Sequence, residues 1–182
     1  MKKVYVFLAD GFEEIEGLTV VDLMRRAGID LTTVSIMGRK EIMGSHKICV
    51  TADALWEETS FDDADMLVLP GGEPGTTNLE HFAPLAELLT SYCGAGGEIA
   101  AICAAPRVFA GLGLLEGRKA TCYPSVMERL TGAERLEDPV VTDGNITTSR
   151  GLGTAIDFAL TLIKKLLGAE TAEKIGKSIV YF

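Results

Sequence analysis

The chain has 182 residues, 47% of them hydrophobic, with 26 acidic against 17 basic side chains and a formal net charge of −9. That length suits a single domain over residues 1–182, and no Pro/Ser-rich or densely charged stretch marks a linker. The acidic balance argues against a nucleic-acid partner, and no apolar run approaches the roughly 18 residues that a membrane span needs.

The first apolar run, Val4 to Ala9, stops at Asp10. It is too short for the core of a signal peptide and lacks a small-residue cleavage site, so a cytoplasmic protein is expected. Further along, apolar runs of strand length alternate with segments of helical period, which predicts an α/β fold whose mainly parallel sheet is covered on both faces. Strands are expected over Lys3–Leu8, Leu31–Ile36, Met66–Leu69, Glu98–Ile102, Ala120–Cys122 and Ile146–Ser149. Helices are expected over Glu13–Ala27, Asn78–Cys93, Ala104–Leu112 and Gly153–Leu167, with a shorter one near Thr171–Lys177. Asp143-Gly144, between Val140-Val141-Thr142 and Asn145-Ile146-Thr147, is a two-residue hairpin signal.

Reactive groups of a parallel sheet gather beyond the carboxyl ends of its strands. Three segments meet that description: Asp10 to Glu16, Pro70-Gly71-Gly72, and Cys103. In Ala101-Ile102-Cys103-Ala104-Ala105-Pro106 an apolar strand ends in a thiol and a helix-forming run follows at once. A cysteine on such a strand-to-helix elbow meets unpaired helix N–H groups, which favour the thiolate and lower its pKa. The alternative is a buried core cysteine.

On the first helix Val20, Leu23, Met24 and Ala27 form one apolar stripe. Glu13 and Glu16 project within about 30° of its centre, whereas Glu14 lies well over about 100° away. A carboxyl group turned toward the sheet has a raised pKa, and as an acid it can donate to the sulfur and relay protons. The competing reading is that all three acids complement the helix dipole. Gly71 and Gly72, with the N–H of Ala104, offer an oxyanion hole, or else simply a loop.

Four cysteines, at 49, 93, 103 and 122, show no C-x-x-C pair and no ligand-like grouping with His46 or His81. Free thiols, no disulfide and no metal are expected. Cys49 and Cys93 read as packing residues and Trp56 as a packing anchor, while Cys122 faces the same rim as Tyr123. Arg150 reads as a structural or dimer contact.

The stretches DGFEEIE, VVDLMRRAGI, MLVLPGG, AAICAAP and DGNITTSRGLGTA occur in this order over nearly the whole chain. Together they resemble the ThiJ/PfpI family, most closely the branch of the Parkinson-disease-associated protein deglycase and its bacterial ThiJ-type relatives. The resemblance implies a flavodoxin-like α/β/α sandwich that forms a homodimer. Cys103 would be the reactive elbow cysteine and Glu16 the acid that hydrogen-bonds it, with Gly72 and Ala104 as backbone donors. Arg26 would lie near the dimer-related pocket. Activities implied are cofactor-independent conversion of methylglyoxal to lactate, repair of early glycation adducts, and oxidation-linked chaperone behaviour. Where several relatives carry histidine near the sulfur, this chain has Tyr123, and a phenol is no base near neutrality. The proteolytic branch has histidine where this chain has Ala104, which disfavours peptidase function.

The leading expectation is therefore a glyoxalase/deglycase-type enzyme acting on small aldehydes and dicarbonyls, with Cys103 as nucleophile and Glu16 as proton relay. The alternative is an oxidative-stress sensor or chaperone in which an oxidant converts Cys103 to a sulfinate. Glutamine amidases need a histidine to activate their thiol, and none follows His81 here.

Overall fold

Alternation along the first strand sorts its side chains onto two faces. Val4, Val6 and Leu8 enter one buried cluster and Tyr5 and Phe7 the other. The computed structural model describes residues 1–182. β1 (Lys3–Leu8) leads to α1 (Glu14–Arg26), β2 (Asp30–Ser35), a small antiparallel pair β3 (Glu41–Met43) and β4 (Cys49–Thr51), and the edge strand β5 (Ala54–Leu55). There follow β6 (Met66–Leu69), α2 (Gly75–His81), α3 (Ala83–Gly94), β7 (Glu98–Ile102) and α4 (Pro106–Gly111). The chain continues through β8 (Lys119–Ala120), β9 (Glu134–Arg135), β10 (Val140–Asp143), β11 (Ile146–Ser149), α5 (Ala155–Leu167) and α6 (Ala169–Ser178).

The seven-stranded sheet runs β10-β11-β7-β6-β1-β2-β5, parallel throughout except for β10. Its inner order, β2-β1-β6-β7-β11, is the flavodoxin-like arrangement, with the topological switch between β1 and β6. One face is covered by α1, α5 and α6, whose Val20, Leu23, Met24, Phe158 and Leu162 pack on Val4, Val6 and Val68. On the other, Leu85 and Leu89 of α3 and Val108 and Phe109 of α4 pack with Tyr5, Phe7, Leu67 and Leu69. Pairing of Leu69 with Ala101, and of Ile102 with Ser149, brings the ends of β6, β7 and β11 level. The loops beyond them therefore converge.

Several expectations need correction. The single helix over Asn78–Cys93 is two, because Phe82 is extended (φ −85°, ψ 92°) and Pro84, lacking an N–H, fits only the start of a new helix. Phe82 turns inward to meet Trp56 edge-on at 5.0 Å, within the cluster that also holds Phe7 and Phe61. The strand expected over Ala120–Cys122 is not in the main sheet. The β10–β11 hairpin occupies the edge beside β7, so Lys119–Ala120 pairs with Glu134–Arg135 instead.

Glu14 departs furthest from expectation, being 2% exposed. The turn between β3 and β4 folds over it. The backbone N–H of His46 donates to its Oε1 at 2.7 Å, the His46 ring nitrogen Nδ1 lies 2.9 Å from Oε2, and the Ser45 hydroxyl adds a longer bond. A Cβ on Gly44 would sit 2.2 Å from the same carboxylate, so only glycine admits this approach. Although burial opposes it, hydrogen bonding to His46 and to backbone N–H groups holds Glu14 down at about 2, and the same pair raises His46. For a depressed carboxylate the stability is present above its unfolded value and disappears as pH falls through the folded one. Glu14→Gln is accordingly expected to cost about 2–3 kcal/mol at pH 7. Chemical denaturation should show that deficit shrinking between pH 4.5 and 2.

Candidate active site at the strand-to-helix elbow

Cys103 follows β7 directly and adopts φ +65°, a left-handed conformation disfavoured by about 1–2 kcal/mol for a residue with a side chain. Its backbone is held from both sides, the N–H by Ser149 O at 3.0 Å and the carbonyl by Tyr123 N at 2.9 Å. The turn thereby aims the half-buried thiol across the ends of the strands.

Glu16 reaches the same point from α1. Glu13 is the N-cap, its carboxylate accepting the Glu16 N–H at 2.8 Å, which sets Glu16 one turn into the helix and facing the sheet edge. Glu16 is 1% exposed, accepts from Gly71 N at 3.1 Å, and lies beside the Cys103 thiol and the N–H of Leu152, both of which favour its charged form. The backbone N–H groups of Ala104 and Gly72 lie near enough to the sulfur to favour its charged form. Gly71 separates the two side chains: a Cβ there would lie 2.6 Å from Cys103 Cβ and 2.6 Å from Glu16 Oε2. Its own N–H is taken by Glu16, so of the two glycines only Gly72 faces the sulfur as a donor.

Burial raises Glu16 to about 7, and the nearby Glu13 charge adds to the rise. The lowered thiol pKa expected at the elbow is corrected. Burial and the Glu16 charge push Cys103 up, and the two N–H groups only partly oppose them. The physical reason lies in α4. It has six residues and starts three positions beyond Cys103, so little helix dipole reaches the sulfur. Once Glu16 ionises at about 7 the dyad keeps one proton, on the thiol, and the carboxylate is matched to the work of a general base near neutrality.

Tyr123 stands at the rim, 49% exposed, with its ring against Gly151. Arg26 does not join this group. It pairs with Asp22 at 2.8 Å and lines a separate groove of roughly 440 Å³ between α1, α5 and the C-terminal residues Ser178–Val180. Sequence reading missed the N–H of Leu152, which no local motif announces, and the approach of His46 to Glu13 and Glu14. Those three side chains bring potential ligand atoms within 4.8 Å of one another. Both oxygens of Glu14 are already engaged by the turn, and the cluster acts as the clamp described above. Cys49 is exposed rather than packed, Cys93 is half-buried beside Asn145, and Cys122 is buried. Arg150 donates to Glu137 O at 2.9 Å.

The model of the DJ-1/PfpI family matches residues 2–165. The chain belongs to the DJ-1/PfpI family. It is 40% identical over 181 residues to Protein DJ-1 homolog B of Arabidopsis thaliana, and spans 98% of its own length but 41% of that protein. To the Glutathione-independent glyoxalase DJR-1.2 of Caenorhabditis elegans it is 30% identical over 169 residues, covering 92% of this chain and 89% of the relative. The solved structure of oxidized DJ-1 from Toxoplasma gondii superposes with a TM-score of 0.95 at 36% identity, covering 99% of this chain and 98% of that one. The family stretches DGFEEIE, MLVLPGG and AAICAAP are the ones that carry Glu16, Gly72 and Cys103 into contact.

A raised carboxyl destabilises the fold as it ionises. The contribution of Glu16 is favourable below its unfolded value and is lost as pH rises through about 7. Glu16→Gln should therefore match the wild type near pH 4 and exceed it by about 2–3 kcal/mol at pH 8. Equal stability of the two proteins at pH 8 in thermal melts would contradict the assignment.

Proposed function

We propose that the protein is a cysteine-dependent enzyme of the glyoxalase/deglycase type, acting on small aldehydes and dicarbonyls such as methylglyoxal, with Cys103 as nucleophile and Glu16 as proton relay. The observation that carries this reading is the contact of a half-buried thiol with a buried carboxyl whose pKa lies near 7, beside two inward N–H donors. The glyoxalase-named relative supports the substrate class.

In this mechanism Sγ adds to the aldehyde carbon and the thiol proton passes to Glu16. Gly72 N–H and Ala104 N–H, close to the sulfur, are placed to receive the developing oxyanion. Glu16 returns the proton to that oxygen, giving a hemithioacetal. The relay carries the former aldehyde hydrogen as a proton to the adjacent carbonyl carbon, while the hemithioacetal hydroxyl proton passes to that carbonyl's oxygen, leaving a thioester of the 2-hydroxy acid. Water hydrolyses the thioester and regenerates the thiol. Reactants and products differ by one water, so the cycle needs no external oxidant or reductant, and the proposed enzyme uses no cofactor.

The reading extends to a homodimer. Ile15 on α1, Met43 at the end of β3 and Ile48 in the turn before β4 expose 49%, 44% and 53% of their surfaces, which supports an apolar contact between two copies. Arg26 on the same helix would then face the partner's rim. A second role, as an oxidant sensor, is favoured by the donors around the sulfur, which suit a sulfinate. The solved relative described as oxidized agrees with it.

Cys103→Ser is expected to abolish methylglyoxal turnover and Glu16→Gln to lower kcat by about 100- to 10,000-fold. Undiminished lactate production by the serine variant would overturn the nucleophile assignment. Mild peroxide should add two oxygens to the Cys103 peptide ahead of those of Cys49, Cys93 and Cys122 by mass spectrometry, and equal oxidation of all four would sink the sensor role.

A further inference from the structure

Arg107 is a buried guanidinium that the mechanism does not use. It lies on the first turn of α4, four residues after Cys103, and is 6% exposed. Its Nη1 pairs with Glu73, its Nη2 donates to Thr77 Oγ1 at 2.9 Å, and its Nε meets Glu80 Oε2 at 3.2 Å. Thr77 in turn donates to the second oxygen of Glu73 at 2.8 Å. The other oxygen of Glu80 accepts from Arg129 at 2.9 Å.

The positions of these partners matter more than their number. Glu73 directly follows Gly72, whose N–H lies near the sulfur, in a segment so close to the elbow that a Cβ on Gly71 would sit 2.6 Å from Cys103 Cβ. Arg107 is fixed to the elbow that carries the other such donor, Ala104. Arg129 closes the short 3₁₀ turn Pro124–Arg129, which begins next to Tyr123. Three loops that surround Cys103 are thus joined through one planar cation. A guanidinium suits this task because its forked donors fix direction as well as distance, and the buried cation is held by three partners at once although Glu73 itself is half-exposed.

We propose that Arg107 is a positioning residue, which acts through Glu73 to hold the Gly72 N–H in register with the Ala104 N–H around the Cys103 sulfur. The inference rests on Cys103 being the nucleophile, but not on the identity of the carbonyl substrate. Misplacement of an oxyanion donor by about 1 Å costs roughly 100-fold in rate, so loss of the strap weakens chemistry rather than substrate binding.

The test measures two quantities in Arg107→Met, Arg107→Lys, Glu73→Gln and the Arg107→Met/Glu73→Gln double variant, each checked for folding by circular dichroism. One is the rate at which iodoacetamide labels Cys103 at pH 7.5, read by mass spectrometry, which needs no dicarbonyl turnover. The other is the division of any loss of methylglyoxal turnover between kcat and KM. Arg107→Met and Glu73→Gln are each expected to slow labelling by about tenfold and to lower kcat by about 10- to 100-fold with KM within about twofold. The double variant should be no slower than the slower single one, and Arg107→Lys should lie between Arg107→Met and wild type. Labelling that is unchanged or faster in the folded single variants, or losses that add in the double variant, overturns the proposal. Should Arg107→Met fail to fold, Glu73→Gln decides the matter, because the Glu73 side chain is 49% exposed and its amide keeps the same size and buries no unpaired charge. If wild-type protein has no turnover while the labelling results stand, the substrate reading fails and the positioning role survives.

Discussion

One proton, held between a buried carboxyl and a half-buried thiol, is the point on which this molecule turns. Neither group is well placed alone. Glu16 at 1% exposure cannot ionise cheaply, and Cys103 is pushed up both by enclosure and by that same carboxylate. Together they place a carboxyl of about neutral strength beside a soft, polarisable sulfur. The cost is borne in two places: a left-handed backbone at Cys103 and an acid kept from water.

The surrounding sequence is constrained by space as much as by charge. Gly71 admits the two side chains to each other, and Gly44 admits a loop to Glu14. Thus two consecutive glutamates of the capping segment and a third two residues later take different duties. Glu13 caps the helix, Glu14 clamps a turn and Glu16 faces the sulfur. Helix-dipole complementarity, which treats all three alike, describes none of them adequately.

Much of this was legible in the chain. β1, β6 and β7 have the bounds expected from their apolar runs, because strands buried on both faces write themselves as continuous hydrophobic segments, while β11, Ile-Thr-Thr-Ser, is announced by the Asp143-Gly144 hairpin signal before it. The meeting of Cys103 with Glu16 followed from placing both beyond strand ends and from the helical wheel, supported by the family resemblance. What escaped was whatever depends on distant partners. β3 and β4 are short and largely exposed, with no apolar pattern to mark them. The break at Phe82 depends on Trp56, 26 positions earlier, as well as on Pro84. Glu14 looks exposed on a helical wheel and becomes buried only when residues 44–48 fold across it. The thiol was misjudged because a nearby helix start was assumed to be long and close, whereas α4 is neither.

The division of the core into two compartments carries a further consequence. Glu16 belongs to a helix anchored on the face with α5 and α6, while the helix after Cys103 is anchored on the opposite face with α3. The Cys103 side chain packs with the α1 face, so the elbow backbone, and not the pair itself, is where the two layers meet. A turn of that elbow, pulled by the helix anchored on the far face, would part sulfur from carboxyl while every strand remained paired. Warming should silence such a centre before the molecule melts, which makes the pair a gauge of how tightly its two halves are seated.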